Sequence, residues 1–293
     1  MIPTPHPIPM IPARPILTHN DLDGLLSWLF LRQWEVPLVG LYDLQTIYLT
    51  TGVSLDEVLA IDLDLSHPKI PSIGHHFTLF QHPHQINMNR MVGLDLPQFR
   101  SKCPVPTVLI LHWMTQTPLP ASPTQRAWLA YADGLHESYA RYTKNVTAWL
   151  RMMGFEDLLA DLQSGRLAPF IEAIRVQLAA LGWRGTTKRP YPQCRFRPAQ
   201  FQALQPLIDL LTTEMGYPTV PSLPSWTPVL QGSRYSLQFT PLTSHLIEQK
   251  FQQHDLLSHG LIYHNHLEVT LLTPLSPEKD KELWHLQRYA TTS

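Results

Sequence analysis

Apolar residues fall into two regimes along the chain, short continuous runs in the first third and helical spacing after about residue 120. "RPILTHNDLDG", residues 14–24, predicts a short strand running into a polar loop, and "LDGLLSWLFLRQW" then places Leu25, Leu26, Leu29 and Phe30 at helical intervals. This is the start of a βα unit. "VPLVGLYD" predicts a second strand, and "LQTIYLTTG" fits helix or strand equally. "DEVLAIDLDLS" predicts a buried strand with acids at its carboxyl end, and "VPTVLILHW" another apolar strand. Strands alternating with helical stretches imply an α/β fold, a mostly parallel sheet flanked by helices, with ligands outside the carboxyl ends of the strands.

The middle region reads as helical. In "ASPTQRAWLAYADGLHESYARY", Ser122, Pro123 and Gln125 suit the N-cap, N1 and N3 of a capping box. "NVTAWLRMMG", "APFIEAIRVQLAALG" and "PAQFQALQPLIDLLTTEMG" each end on glycine, as helix C-termini often do. "YPTVPSLPSWTPVLQG" carries four prolines and reads as a linker. The remainder reads β-α-β-α: "SRYSLQFTPL", "TSHLIEQKFQQHDLL", "GLIYHNHLEVTLL" and "SPEKDKELWHLQRY". The expected organisation is an extended arm over 1–15, a main domain with a helical extension over 16–182, a helix and Pro-rich linker over 183–232, and a smaller C-terminal α+β domain over 233–293.

Charged residues make up only 15% of the 293 and hydrophobic ones 44%, which argues against disorder and for a substantial core. A net charge of −1 offers no global attraction for nucleic acid, so any polyanion needs a local patch. Cys103 and Cys194 form no C-x-x-C pair or disulfide framework, which suits a reducing cytoplasm. No run reaches the ~18 apolar residues of a membrane span, and the Pro-rich first residues lack the pattern of a signal peptide.

Candidate chemistry concentrates at the expected strand ends. His19, Asp21 and Asp23 alternate in the first loop, Asp62 and Asp64 end the "DEVLAIDLDLS" strand, "SIGHHFT" holds His75 and His76, and Asp133 sits in "YADG". Buried carboxylates need compensation, and two cations about 3.5–4 Å apart, bridged by a carboxylate, supply it while clamping a phosphate and activating water. Mixed carboxylate and imidazole donors suit Mn²⁺, with Mg²⁺ as the alternative. A polar helix-capping loop would account for "THNDLDG" alone, and a hydrogen-bonded surface pair for the two histidines.

Taken together, the four segments resemble the motifs of the DHH phosphoesterase superfamily, in order and over roughly residues 16–140. The resemblance implies His19, Asp21 and Asp23 as metal ligands from "THNDLDG". It implies a bridging aspartate from "AIDLDLS", Asp62 first and Asp64 as the alternative. It further implies His75 as a ligand, His76 as a group near the phosphate, and Asp133 as the last ligand. The chain departs from that pattern in three places. Gly74 stands where the superfamily has the aspartate of its name, "INMNR" with Asn87 and Asn89 replaces an N-P-N element, and the glycine-rich signature of the usual second domain is missing.

"WRGTTKRPYPQCRFRP", residues 183–198, interleaves Arg184, Lys188, Arg189, Arg195 and Arg197 with aromatic residues. It reads either as a solvated loop or as a single-strand contact, with Arg184, Arg189 and Arg195 as the substrate-binding candidates. His67, His82 and His84 read as ordinary loop histidines, and His264 and His266 as neighbours on the exposed face of one strand. The expectation is a cytoplasmic Mn²⁺-dependent phosphodiesterase acting on a short oligonucleotide or nucleotide-like substrate, with Asp62 and His76 as its catalytic groups. Its rival is a non-catalytic nucleotide- or partner-binding protein of the same fold. Oligomeric state is open, a homodimer included.

Overall fold

The computed structural model describes residues 10–78, 83–183, 204–238, 256–263, 266–275 and 287–290. Six short strands come first: β1 (Ile16–His19), β2 (Leu38–Tyr42), β3 (Thr46–Thr50), β4 (Leu59–Ile61), β5 (Ser72–Gly74) and β6 (Gln85–Asn87). Helix α1 (Leu22–Leu31) crosses between β1 and β2. The helical region comprises α2 (Met88–Met91), α3 (Thr107–Met114), α4 (Pro123–Tyr131), α5 (Leu135–Arg141), α6 (Thr143–Met152), α7 (Glu156–Ser164), α8 (Ala168–Ala180) and α9 (Gln205–Met215). The C-terminal strands are β7 (Trp226–Gln231), β8 (Ser233–Gln238), β9 (Leu256–Tyr263), β10 (His266–Leu271) and β11 (Gln287–Ala290).

A seven-stranded sheet runs in the order β6-β5-β4-β1-β2-β3-β7, and a four-stranded antiparallel sheet in the order β11-β8-β10-β9. In the larger sheet β1 lies parallel to β2 and β4, and β4, β5 and β6 are parallel; β3 alone runs the other way, antiparallel to both its neighbours, β2 and β7. The chain leaves β1 toward β2 on one side and returns to β4 on the other. The crevice between β1 and β4 is therefore the topological switch point, where open α/β sheets place ligands.

Alternation along the strands divides the core. Ile16, Leu59, Ile61 and Ile73 face the helices in one apolar cluster, while Leu17, Tyr42, Ile47 and Ala60 face a second that includes Leu257 of β9. All ten residues of α1 are buried, which explains why its sequence is apolar on nearly every side.

Three expectations need correction and one ambiguity resolves. "VPTVLILHW" holds a helix, α3, not a strand: all eight residues of α3 are buried, and an unbroken apolar run carries no period to tell the two apart. The ambiguous "LQTIYLTTG" forms β3. The Pro-rich segment is not wholly a linker, because Trp226–Gln231 adds β7 to the edge of the main sheet, where Pro228 is tolerated. Ser122 makes no side-chain cap bond, and Gln125 Nε2 instead donates to the Met215 carbonyl at the end of α9, 2.8 Å away.

At the C terminus "GLIYHNHLEVTLL" spans the hairpin of β9 and β10. Of the helices expected over 243–257 and 276–289, residues 243–255 and 276–286 lie outside the described residues. The described ends, Leu256–Leu257 and Gln287–Tyr289, are strand. The small sheet is tied to the large one through β9: Ser66 N donates to Leu257 O (2.8 Å) and Leu261 N to Phe77 O (2.7 Å). Tyr42 Oη pairs with Ser258 Oγ (2.7 Å). Among the described residues no helix is long and apolar enough to cross a membrane.

Candidate metal centre

Three neighbouring strands and one helix break deliver the polar groups. His19 is the last residue of β1, and Asp21 caps α1, its Oδ1 accepting from Gly24 N at 3.0 Å. Gly24 is needed there because a β-carbon would run into the His19 carbonyl oxygen and approach Thr18 Oγ1 at 2.7 Å. Asp23 lies in the first turn of α1, buried. Asp62 follows β4 with a φ of +60°, a left-handed conformation that aspartate tolerates better than most side chains and that tends to mark functional positions. His75 and His76 follow β5. Asp133, at φ +47°, and Gly134, at +68°, break the helical run between α4 and α5.

Two groups of potential ligand atoms result, His19 with Asp21 and Asp62, and Asp23 with Asp62 and His75. Within each, the atoms lie within 4.8 Å of one another. Asp62 belongs to both. Its Oδ2 lies 4.0 Å from His19 Nδ1 and its Oδ1 3.8 Å from His75 Nδ1, so its two oxygens face different imidazoles. His19 Nδ1 is 2.7 Å from Asp21 Oδ2, and His75 Nε2 is 3.1 Å from Asp133 Oδ2.

The electrostatics are those of crowded acids. Burial, followed by the charges of Asp23, Asp21 and Asp133, drives the Asp62 carboxyl well above the usual carboxylate range. Burial pushes Asp23 up to about 6 against the pull of His75, with Asp133 and Asp21 adding to the rise. Burial would raise Asp21 too, but the His19 charge and hydrogen bond and the Gly24 N–H hold it below its ordinary value. For His75, burial opposes protonation, and the hydrogen bond and charge of Asp133 outweigh it and raise the imidazole. Among the described residues no lysine or arginine forms an ion pair with these acids. Divalent cations would supply the missing positive charge, and the carboxylate and imidazole donors fit them.

Two of the expected ligands belong to neither group: Asp133, which pairs with His75 Nε2, and Asp64. Asp64 is buried. Its Oδ2 accepts from His76 N (3.0 Å) and meets His76 Nδ1 (3.2 Å), while its Oδ1 accepts from Gln85 Nε2 (3.1 Å) and Asn87 Nδ2 (2.6 Å). Asp62 alone belongs to both groups, whereas the Asp64 carboxylate is engaged by His76, Gln85 and Asn87. His76 stacks on His75 with ring centres 4.6 Å apart and remains partly exposed.

Thr107 is a site residue that the sequence pattern does not reveal, because "VPTVLILHW" predicts a strand. Its hydroxyl donates to Asp62 Oδ1 (2.8 Å) and pairs with His75 Nδ1 (3.0 Å). Its N–H and that of Val108 donate to the two Asp23 oxygens at 2.6 and 3.0 Å, so Asp23 also caps α3. The Pro-Thr pair at 106–107 was the available signal for a helix start. The asparagines of "INMNR" brace the histidine backbone: Asn87 Nδ2 donates to His76 O and Asn89 Nδ2 to His75 O, both at 2.7 Å.

Arg184, Arg189 and Arg195, with the rest of residues 184–198, lie outside the described residues, as do His82 and His264. His67 Nδ1 accepts from Lys69 N (3.3 Å), and His266 pairs with Ser236 and Glu268 in the small sheet. No protein-family profile, curated protein or solved structure matches the chain.

Proposed function

We propose that this chain is a divergent DHH-type phosphoesterase that hydrolyses a phosphodiester in a short oligonucleotide or nucleotide-like substrate, using two divalent cations, Mn²⁺ with Mg²⁺ as the alternative. The observation that carries the reading is the shared carboxylate of Asp62, whose two oxygens face two separate groups of donors. His19, Asp21 and Asp62 would hold one ion, and Asp23, Asp62 and His75 the other, with Asp133 beside His75. When bound, such a pair polarises a phosphate and lowers the pKa of water. His76, exposed on one side and within the same loop, is the group proposed to bind the phosphate or carry a proton to the leaving oxygen. Arg184, Arg189 and Arg195 are proposed substrate contacts. A cytoplasmic setting and a small C-terminal α+β domain over 233–293 belong to the same proposal.

A second reading has its own support: Thr107 and the start of α3 already satisfy Asp23, Asp62 and His75 with hydrogen bonds. A binding protein that keeps the fold without turnover would look the same. Titration of Mn²⁺ into the stripped protein and into Asp62→Ala separates the two. Two ions bound, with both weakened in the variant, is the expected result. One weak ion or none favours the binding protein.

A further inference from the structure

Gly74 closes β5 immediately before the histidine pair. A β-carbon built on it would lie no farther than 2.6 Å from Cγ and both oxygens of Asp64, closer than real β-carbons come. The backbone at Gly74 does not require glycine, since it is absent from the positive-φ positions; space does. The Asp64 carboxyl fills the volume that any side chain at position 74 would enter. On its other side the Asp64 carboxylate reaches the backbone N–H and ring Nδ1 of His76, while Gln85 and Asn87 hold its second oxygen.

We propose that Asp64 is a positioning residue that acts through His76, and that Gly74 is glycine so that this carboxylate fits. Asp64 accepts the Nδ1 proton of His76, which fixes the tautomer and turns the Nε2 lone pair outward. The carboxylate that orients the histidine pair thus comes from the segment after β4, not from the residue before the pair. The role assigned to Nε2 rests on the phosphoesterase reading; the tautomer does not.

The test is ring-¹⁵N NMR of histidine-labelled, metal-stripped protein at one fixed pH of about 8, where His76 is assigned by His76→Gln. The wild type is expected to hold His76 with Nδ1 protonated and Nε2 free. Asp64→Gly loses that signature, and Asp64→Gly combined with Gly74→Asp regains it. Gly74→Ala, whose methyl displaces Asp64 without removing it, loses it as well and serves if Asp64→Gly does not fold. An unchanged His76 tautomer in folded Asp64→Gly or Gly74→Ala overturns the proposal. Mn²⁺ stoichiometry is expected to stay at the wild-type value in these variants, because Asp64 is not among the grouped ligands. With bis(4-nitrophenyl) phosphate as probe, kcat falls about 10–100-fold in Asp64→Gly at unchanged KM. A wild type that never turns over the probe counts against the hydrolase reading and leaves the NMR result standing.

Discussion

Asp62 concentrates the conflict between stability and chemistry. Its carboxyl is buried among Asp21, Asp23 and Asp133 and sits on a left-handed backbone, so without cations it raises the energy of the fold. Asp62→Asn keeps the backbone preference and an acceptor for Thr107 while removing the charge. It should raise the melting temperature of the stripped protein by several degrees, a gain of about 1–2 kcal/mol. It should also erase the Mn²⁺-induced rise of the wild type, which reaches about 2.7 kcal/mol at a hundred times Kd. Thermal scans of both proteins with and without Mn²⁺ check this; a variant less stable than stripped wild type would contradict it. Asp23 behaves differently, because its oxygens cap α3. Asp23→Ala should cost about 1–2 kcal/mol in urea unfolding even without metal, so loss of function there would not isolate a ligand. Protons would compete with cations for these acids. Asp23 stays protonated up to about pH 6, so Mn²⁺ affinity should fall steeply between about pH 7.5 and about pH 5, as calorimetric titration would reveal. The candidate cluster is legible in the sequence because each of its residues stands beside a short apolar run. Asp64 was not separable from Asp62 there, since alternation places both on one side of an ideal strand, and only the turn at Asp62 parts them.

At the scale of elements, β9 is the piece whose role no pattern announced. The sequence pattern puts its first two residues, Leu256 and Leu257, in a helix and only 260–263 in a strand, yet it hydrogen-bonds to the segments after β4 and β5 that carry the candidate site. His259 lies buried in it with Nδ1 3.0 Å from Ser66 Oγ, and burial pulls its pKa down to about 4 from an ordinary 6.5. The folded protein holds this ring neutral, so its contribution is present above about pH 6.5 and is lost as pH falls toward 4, on the order of 3 kcal/mol in all. His259→Gln should therefore flatten the acid side of the stability profile. Urea midpoints measured for both proteins across that range decide it, and parallel profiles would remove the assignment. The misreading of α3 comes from its surroundings: all eight of its residues are buried, and burial erases the period from which type and partner are read. Gln125 teaches the converse: its spacing suited a capping box, but a carbonyl of α9 left over at a helix end claimed its amide.

For the whole molecule, the fold class follows from alternating strands and helices, and the order of motifs places the acids at one rim of the sheet. The mutual support of the two sheets was not legible, because it rests on main-chain bonds that carry no residue signature: Gly232 N to Gln45 O at 2.9 Å, and the pair that ties β9. Thr270 Oγ1 adds a bond to Leu44 O at 2.6 Å, and Leu257 shares an apolar cluster with Leu17 and Ala60. The sheets should accordingly melt together, with calorimetric and van't Hoff enthalpies in agreement; two resolved transitions would show that the contacts are too weak to couple them. The position of β9 also has a meaning in time. Every candidate ligand from His19 to Asp133 leaves the ribosome before the strand that lies against His76 and Phe77, with about 130 residues between Asp133 and Tyr263 still to be added. At roughly 5–20 residues per second this is an interval on the order of ten seconds. For that interval the candidate ligands are made and the strand that backs their segments is not.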